Sequence, residues 1–83
     1  MSLQVRYFAS VREALGEGET LPYVAGETVA LLRQRLRASS AVHAMALADD
    51  KALRCALNKT LCGMDALLID GAEVAFFPPV TGG

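Results

Sequence analysis

Neither sign of charge dominates this chain of 83 residues. Lys and Arg together number 8, Asp and Glu number 9, and the formal net charge is −1. A chain without a basic excess attracts neither nucleic acid nor an anionic membrane strongly, so we expect it to bind neither. Apolar residues make up 53% of the chain and charged residues 20%. This balance favours one small globular domain over disorder.

Cysteine and histidine are too few for a disulfide framework or a metal site. Cys55 and Cys62 are the only cysteines, no CxxC spacing occurs, and His43 is the only histidine. We therefore predict two small buried cysteines and no bound metal. His43 has no Cys, Asp or Ser partner at a recognisable spacing, which favours a surface or half-buried side chain over a catalytic one.

Targeting and membrane segments are also missing from the sequence. Residues 1–10 have no charged stretch followed by an apolar one, so we expect no secretory signal. No apolar run approaches the ~20 residues that cross a bilayer. The expected location is the cytoplasm.

The sequence contains no motif of an enzyme that acts alone. There is no GxSxG, and Gly16 and Gly18 lack the lysine and the length of a Walker loop. Asp49 and Asp50 are adjacent carboxylates, which are more typical of a solvated turn than of acid–base catalysis. We therefore expect the isolated chain to be non-catalytic.

The first third of the chain predicts two strands around a short helix. Residues 3–8 alternate in polarity, as a half-buried strand does. A short helix is predicted over residues 9–15, with Ser10 as N-cap and Gly16 at its end. Residues 16–19 are predicted to be a flexible connection. The second strand, residues 20–24, contains Pro22 and is therefore placed at a sheet edge.

The clearest predicted helix begins after Thr28, which can cap it. Val29, Leu32 and Leu36 recur at helical spacing and form an inward stripe. The arginines of this helix could form a docking patch, but a solvated helical face is the favoured interpretation.

The rest of the chain predicts a second short helix and three strands. The alanine-rich helix is closed by the Asp49-Asp50 turn, and the strands are separated by turns at Asn58-Lys59 and Asp70-Gly71. These segments are, in order, residues 41–48, 53–57, 60–62 and 72–77. The last strand is the most apolar and is predicted to lie in the middle of the sheet. The pattern as a whole predicts an α+β roll with the main helix across one face of the sheet.

The C-terminal sequence FFPPVTGG is unusual for a protein end. Gly82 and Gly83 lack Cβ atoms, so the last carboxylate is sterically open and the backbone can enter a narrow channel. Pro78 and Pro79 favour an extended exit and remove two N–H donors. The tail, residues 78–83, spans at most roughly 20 Å when extended. That length could carry a carboxylate into another protein while the domain, residues 1–77, docks outside.

These residues closely resemble the MoaD family of sulfur carriers, the small subunits of molybdopterin synthase, within the ubiquitin-like β-grasp fold. The resemblance rests on DGAEVAFFPPVTGG, RYFASVRE, ALNKTL and the helix that follows ETVALLRQRL, and it covers essentially the whole chain. It implies a mixed sheet of about five strands, one main helix packed across it and short extra helices.

The resemblance also implies a mechanism in which the carboxylate of Gly83 is the reacting group. A partner activating enzyme of the MoeB kind would adenylate it with ATP and Mg²⁺, while this chain itself binds no cofactor. A desulfurase system would then supply the sulfur of a Gly83 thiocarboxylate. The large subunit, of the MoaE kind, would accept the tail, and the thiocarboxylate would donate its sulfur to a pyranopterin precursor of the molybdenum cofactor.

The family pattern implies two sets of functional residues besides Gly83. The tail would enter the partner's active site through Pro78, Pro79, Val80, Thr81 and Gly82. The partner-facing surface of the domain would contain Phe8, Leu61 and Phe77, with Arg12 on its rim. The alternative is that Phe8 and Leu61 are core residues.

Two other functions remain open at the level of sequence. One is a β-grasp sulfur carrier of thiamine or cysteine synthesis. The other is a ubiquitin-like modifier whose Gly83 is joined to lysines of other proteins.

Overall fold

The computed structural model describes residues 1–79 and contains five strands and three helices within them. In chain order they are β1 (Ser2–Tyr7), α1 (Ala9–Leu15), β2 (Gly18–Pro22), α2 (Val29–Arg37), α3 (Ala41–Ala46), β3 (Arg54–Leu57), β4 (Thr60–Cys62) and β5 (Glu73–Phe77). The strands form one sheet in the order β2-β1-β5-β3-β4. This is an α+β β-grasp fold, as the resemblance implied.

The last strand lies at the centre of the sheet, as its apolar sequence predicted. It pairs in parallel with β1, so that Tyr7 lies beside Phe76, and it pairs antiparallel with β3, so that Cys55 lies on the other side of Phe76. The other strand pairs are antiparallel. Because β5 is flanked on both sides, the chain leaves the sheet from an inner strand.

The core lies between the sheet and the helices. Leu3, Val5 and Tyr7 alternate inward from β1, as predicted. Leu32 and Leu36 of α2 belong to the same buried cluster. The predicted cap of α2 is confirmed, because the hydroxyl of Thr28 accepts a hydrogen bond from the amide of Leu31.

Two predictions about residues 9–19 are wrong. The N-cap of α1 is Phe8, without a side-chain cap, and Ser10 lies inside the helix. The predicted flexible connection already contains the first two residues of β2. A Cβ on Gly18 would lie only 2.1 Å from the carbonyl oxygen of Val5, so glycine lets the two backbones approach and allows pairing to begin there. The edge position of β2 is confirmed.

The predicted turns are confirmed. Asn58 and Lys59 have φ of 49° and 69° and close the two-residue hairpin between β3 and β4, as a turn with two left-handed residues does. Gly71 has φ of 82° in the turn before β5, a conformation that glycine adopts without steric cost. The helix α3 ends at Ala46, two residues earlier than predicted.

The division into a domain of residues 1–77 and a tail of residues 78–83 stays a prediction. The final strand ends at Phe77, and residues 80–83 lie outside the described residues. Within residues 1–79, no helix has the length and apolar character to cross a membrane.

Candidate functional site

The two phenylalanines that end β5 face opposite sides of the sheet. The side chain of Phe76 is 0% exposed and belongs to the core, whereas Phe77 is only half-buried. Successive strand residues point to opposite faces, so Phe77 lies on the face opposite the helices. We call this the open face, and it presents the end of β5 to solvent just before the chain enters its tail.

A row of small and apolar residues crosses the open face. Strand pairing aligns Arg6 with Ala75, Ala75 with Ala56, and Ala56 with Leu61. Leu61 is 62% exposed, on the outermost strand of the sheet. Because the two alanine side chains are short, the middle of the row is a shallow depression. A partner's side chain could lie in it, between Leu61 and Arg6.

Phe8 joins this surface from the end of β1. Its backbone is still extended, with φ of −133° and ψ of 156°, and its amide donates a 3.2 Å hydrogen bond to the carbonyl of Phe76. The alternation of β1 therefore continues to Phe8 and places it on the open face, where its side chain is 41% exposed. The alternative assignment of Phe8 and Leu61 to the core is wrong.

Arg6 and Arg54 lie on the open face by strand register, and Arg12 belongs to the following helix α1; few of these side chains carry strong ion pairs. Arg12 pairs with Glu17 at 2.8 Å, and both side chains are largely exposed. Arg6 approaches Glu73 only to 3.9 Å. Arg54 is exposed and lies opposite Phe77 across the strand pair. Exposed pairs of this kind contribute little to stability, so these guanidinium groups can exchange partners when another protein docks.

The structure places the predicted tail residues only in part. Pro78 is half-buried and Pro79 is exposed, so the chain leaves the core within two residues of Phe77. Val80, Thr81, Gly82 and Gly83 were also predicted as tail or reacting residues, and they lie outside the described residues.

The arginines of α2 do not form a solvated face, which corrects the favoured interpretation from sequence. Arg33 is 8% exposed, and its guanidinium donates to the carbonyl oxygens of Leu47, Ala48 and Lys51. Burial lowers the pKa of Arg33. Arg35 donates to both carboxylate oxygens of Glu27. Amphipathic periodicity missed these contacts because their acceptors lie elsewhere in the sequence.

A second polar cluster joins β1, β2 and α3. Tyr7 donates a 2.6 Å hydrogen bond to Oε2 of Glu19, and Nε2 of His43 lies 2.8 Å from the same oxygen. Oγ of Ser40 lies 2.6 Å from Nδ1 of His43. The half-buried position predicted for His43 is confirmed, but it does have a serine partner. Ser40 caps α3, because its hydroxyl oxygen accepts a 3.0 Å hydrogen bond from the amide of His43. Helix capping therefore explains why Ser40 and His43 lie together.

This cluster shifts the ionisation of two of its members. Partial burial opposes the charge on Glu19, but the hydrogen bonds from Tyr7 and His43 outweigh it and the net pKa of Glu19 lies below its ordinary value. Burial and the adjacent carboxylate raise the pKa of Tyr7. Tyr7 therefore stays a neutral donor to an ionised Glu19 at neutral pH.

Within residues 1–79, no group of three or more His, Cys, Asp or Glu side chains could hold a metal ion. The free cysteines differ in burial: Cys55 is buried, as predicted, whereas Cys62 is only half-buried.

The chain is similar in sequence to known proteins. The family model described as the ThiS family matches residues 5–83. The chain is 49% identical to the molybdopterin synthase sulfur carrier subunit of Escherichia coli (strain K12) over 81 residues, which cover 98% of this chain and 99% of that protein.

Solved structures share the fold at lower identity. SAMP1 from Haloferax volcanii superposes with a TM-score of 0.75 at 25% identity, with both chains covered fully. A chain in the protein–protein complex of subunits 1 and 2 of molybdopterin-converting factor from Helicobacter pylori 26695 superposes with a TM-score of 0.66 at 26% identity, again over both full chains.

Proposed function

The chain belongs to the ThiS family and serves as the sulfur carrier subunit of a molybdopterin synthase in molybdenum cofactor biosynthesis, and from this premise we propose that its reacting group is the α-carboxylate of Gly83. No side chain is required at that position. A carboxylate flanked by Gly82 is free of Cβ atoms and fits a narrow active-site channel. We propose that Pro78, Pro79, Val80, Thr81 and Gly82 form the segment that enters this channel.

The observation that carries the proposal is the opposite orientation of Phe76 and Phe77. Phe76 anchors the end of β5 in the core, and Phe77 lies half-buried on the opposite face one residue later. The tail therefore begins at a fixed point of the domain, next to a surface that can dock. Fixing the origin of a tethered group raises its effective concentration in a partner's site.

A free carboxylate does not react with sulfur nucleophiles, so it needs activation. We propose that a partner enzyme of the MoeB kind joins the Gly83 carboxylate to AMP from ATP, with Mg²⁺, and releases pyrophosphate. Sulfur supplied by a desulfurase system at the oxidation level of hydrosulfide then attacks the acyl carbon, the bond from that carbon to the AMP oxygen breaks, and AMP leaves, which gives a thiocarboxylate. The carrier contributes only its terminal acyl group to these steps and needs no cofactor of its own.

We propose that the large subunit, of the MoaE kind, docks on the open face. The docking residues would be Phe8, Leu61 and Phe77, with Arg12 at the rim. The exposed side chains of Phe8 and Leu61, on the same face as the half-buried Phe77, support this surface. The Helicobacter pylori relative is described as part of a two-subunit complex, and the same mode of assembly is proposed here. The thiocarboxylate would then reach a pyranopterin precursor inside the partner. We propose the cytoplasm as the location of this chain.

A ubiquitin-like modifier is the second candidate function. SAMP1 of Haloferax volcanii is described as a small archaeal modifier protein, and its likeness in fold to this chain supports this second candidate. The two functions share activation of the terminal carboxylate but differ in the acceptor. A sulfur carrier gives a thiocarboxylate, whereas a modifier gives an amide with a lysine of another protein.

Intact-protein mass spectrometry separates these outcomes. The full chain is incubated with the activating enzyme, ATP, Mg²⁺ and a sulfur donor. We expect a mass gain equal to the exchange of one oxygen for one sulfur, located in the C-terminal peptide. A sample without ATP is the control. Absence of the exchange with an activating enzyme that loads the Escherichia coli carrier contradicts the proposal, and lysine-linked conjugates support the modifier.

A further inference from the structure

Cys55 and Cys62 face each other across the hairpin of β3 and β4. They are directly opposed in the antiparallel register, and their Sγ atoms are 3.5 Å apart. Both are free thiols. The residues between them in the sequence form the rest of the hairpin. The turn at Asn58-Lys59 therefore brings the two sulfur atoms together.

This arrangement needs little movement to form a disulfide. Directly opposed residues of an antiparallel pair have Cα atoms about 4.5–5.5 Å apart, which lies within the range of about 4.4–6.8 Å that disulfides span. The side chains are on the same face of the sheet, since opposed residues share a face. The two sulfur atoms are already in contact, and rotation about the side-chain torsions is the main adjustment required.

The two thiols differ in access to solvent. Cys55 is 2% exposed, and burial together with the hydrogen bond to Cys62 raises the pKa of its thiol. Cys62 is half-buried, on β4 at the outer edge of the sheet. Cys62 is therefore the thiol that an oxidant in solvent can reach, while the buried Cys55 stays protonated. In this arrangement one cysteine is oxidised first and the second, resolving cysteine closes the disulfide.

We propose that Cys55 and Cys62 form a redox-modification site that takes a hydroperoxide as its oxidant and closes to a reversible disulfide. In the first step the thiolate of Cys62 attacks a peroxide oxygen and the O–O bond breaks, which gives a sulfenic acid and hydroxide. In the second step the sulfur of Cys55 attacks the sulfenic sulfur, the S–O bond breaks, and water leaves with the proton of Cys55. Two thiols and one hydrogen peroxide thus give one disulfide and two waters. A dithiol reductant reverses the reaction by thiol–disulfide exchange.

The bond would join β3, an inner strand, to β4, the edge strand that carries Leu61. An edge strand paired on one side only is the part of a sheet that opens most easily. A cross-link at Cys62 holds β4 to β3 one residue from Leu61 and restricts the unfolded chain as well. Oxidation is therefore expected to slow amide exchange in β4 and to raise the Tm. Neither effect depends on the sulfur carrier function.

Peptide mapping of the full chain tests the proposal. The reduced protein is treated with hydrogen peroxide, denatured, alkylated and cut with trypsin. Trypsin cleaves after Arg54 and Lys59, so the two cysteines fall on separate peptides, residues 55–59 and 60–83. We expect these peptides to be joined, with the intact monomer lighter by two hydrogen atoms, and to separate again after treatment with dithiothreitol.

Two variants and a thermal readout complete the test. Cys62→Ala should leave Cys55 fully alkylatable after peroxide, whereas Cys55→Ala should leave Cys62 to form higher oxides or dimers between chains. The Tm should rise by several degrees on oxidation of the wild type and in neither variant. Retention of both alkylatable thiols in the wild type overturns the proposal. It is equally overturned if the wild type gives higher oxides or dimers without the joined peptides.

Discussion

Phe76 and Phe77 are neighbours in sequence, yet the first is fully buried among the core residues and the second is half-buried on the opposite face of the sheet. The alternation of a strand places them there. Because β5 is the central strand, one side chain of the pair stabilises the core and the other is available to a docking partner. The first side chain anchors the strand, and the second belongs to the open face.

Phe77→Asp is expected to weaken binding to the large subunit at least tenfold, because a charge would be buried in an apolar contact. The Tm should change little, since the side chain is already partly solvated. Isothermal titration calorimetry with the large subunit measures the effect. Val42→Asp, at an exposed site on α3, is the matched control and should bind as the wild type does. If Phe77→Asp bound the large subunit as tightly as Val42→Asp does, Phe77 would not belong to the interface.

Removal of Gly82 and Gly83 is expected to abolish sulfur loading while the unfolding transition stays the same. The reacting carboxylate would then belong to Thr81, whose branched side chain crowds the acyl carbon and shortens the reach of the tail. Mass spectrometry after the loading reaction measures the first effect, and thermal unfolding measures the second. A large drop in Tm would show that these two residues contribute to the fold.

Arg33→Met is expected to destabilise the domain by about 2–4 kcal/mol. The carbonyl of Leu47 would lose the hydrogen bond from Arg33 in a buried place, and the carbonyls of Ala48 and Lys51 would each keep only a backbone amide as donor. Chemical denaturation gives the free energy of unfolding. Arg37→Met is the control on the same helix. Its ion pair with Asp49 is largely solvated on the aspartate side, so we expect a loss of no more than about 1 kcal/mol. Similar losses in both variants would contradict the role of Arg33.

The stability of the domain should fall in acid partly through Glu19. Its pKa is lower in the folded protein than the ordinary value of 4.5, so the folded state favours the ionised form. The stabilisation is therefore complete above about pH 4.5 and is lost as the pH falls through the folded pKa. Glu19→Gln should remove this part of the pH dependence, which we expect to be about 1 kcal/mol or less.

Unfolding free energies measured between pH 3 and pH 7 check this effect. Tyr7→Phe removes one donor to Glu19 and should reduce the acid dependence without removing it, since His43 remains a partner. Identical pH profiles for the wild type and Glu19→Gln would show that the carboxylate has the same pKa in both states.

Local sequence signals were sufficient for most of the fold. Polarity alternation predicted β1, helical spacing predicted the buried stripe of α2, and turn residues predicted the hairpin at Asn58-Lys59. These signals depend on neighbours within a few residues, where backbone preference and side-chain direction are strongly coupled. The misplaced cap of α1 and the late start predicted for β2 are errors at element ends, where the contacts that decide the boundary come from another strand.

The residues of the candidate docking surface were predicted from the family resemblance and not from the period of the strands. Phe77 was expected on the partner-facing side because the family resemblance implied it, and the structure places this side chain, half-buried, on the open face. The identity of Phe8 and Leu61 as exposed residues came from the family resemblance, since periodicity alone also allowed a core position. Only the order of the strands shows that both lie on the same face as Phe77.

Sequence by itself determined the α+β class and the central position of the apolar last strand, because these follow from composition and short-range pattern. The tertiary structure alone decided which polar groups meet. Arg33 donates to carbonyls that lie 14 to 18 residues away, Glu19 joins Tyr7 to His43, and Cys55 faces Cys62. Such pairs form wherever folding brings distant segments together, and hydrogen bonding and sulfur contact act over a few ångströms in space, whatever the distance along the chain.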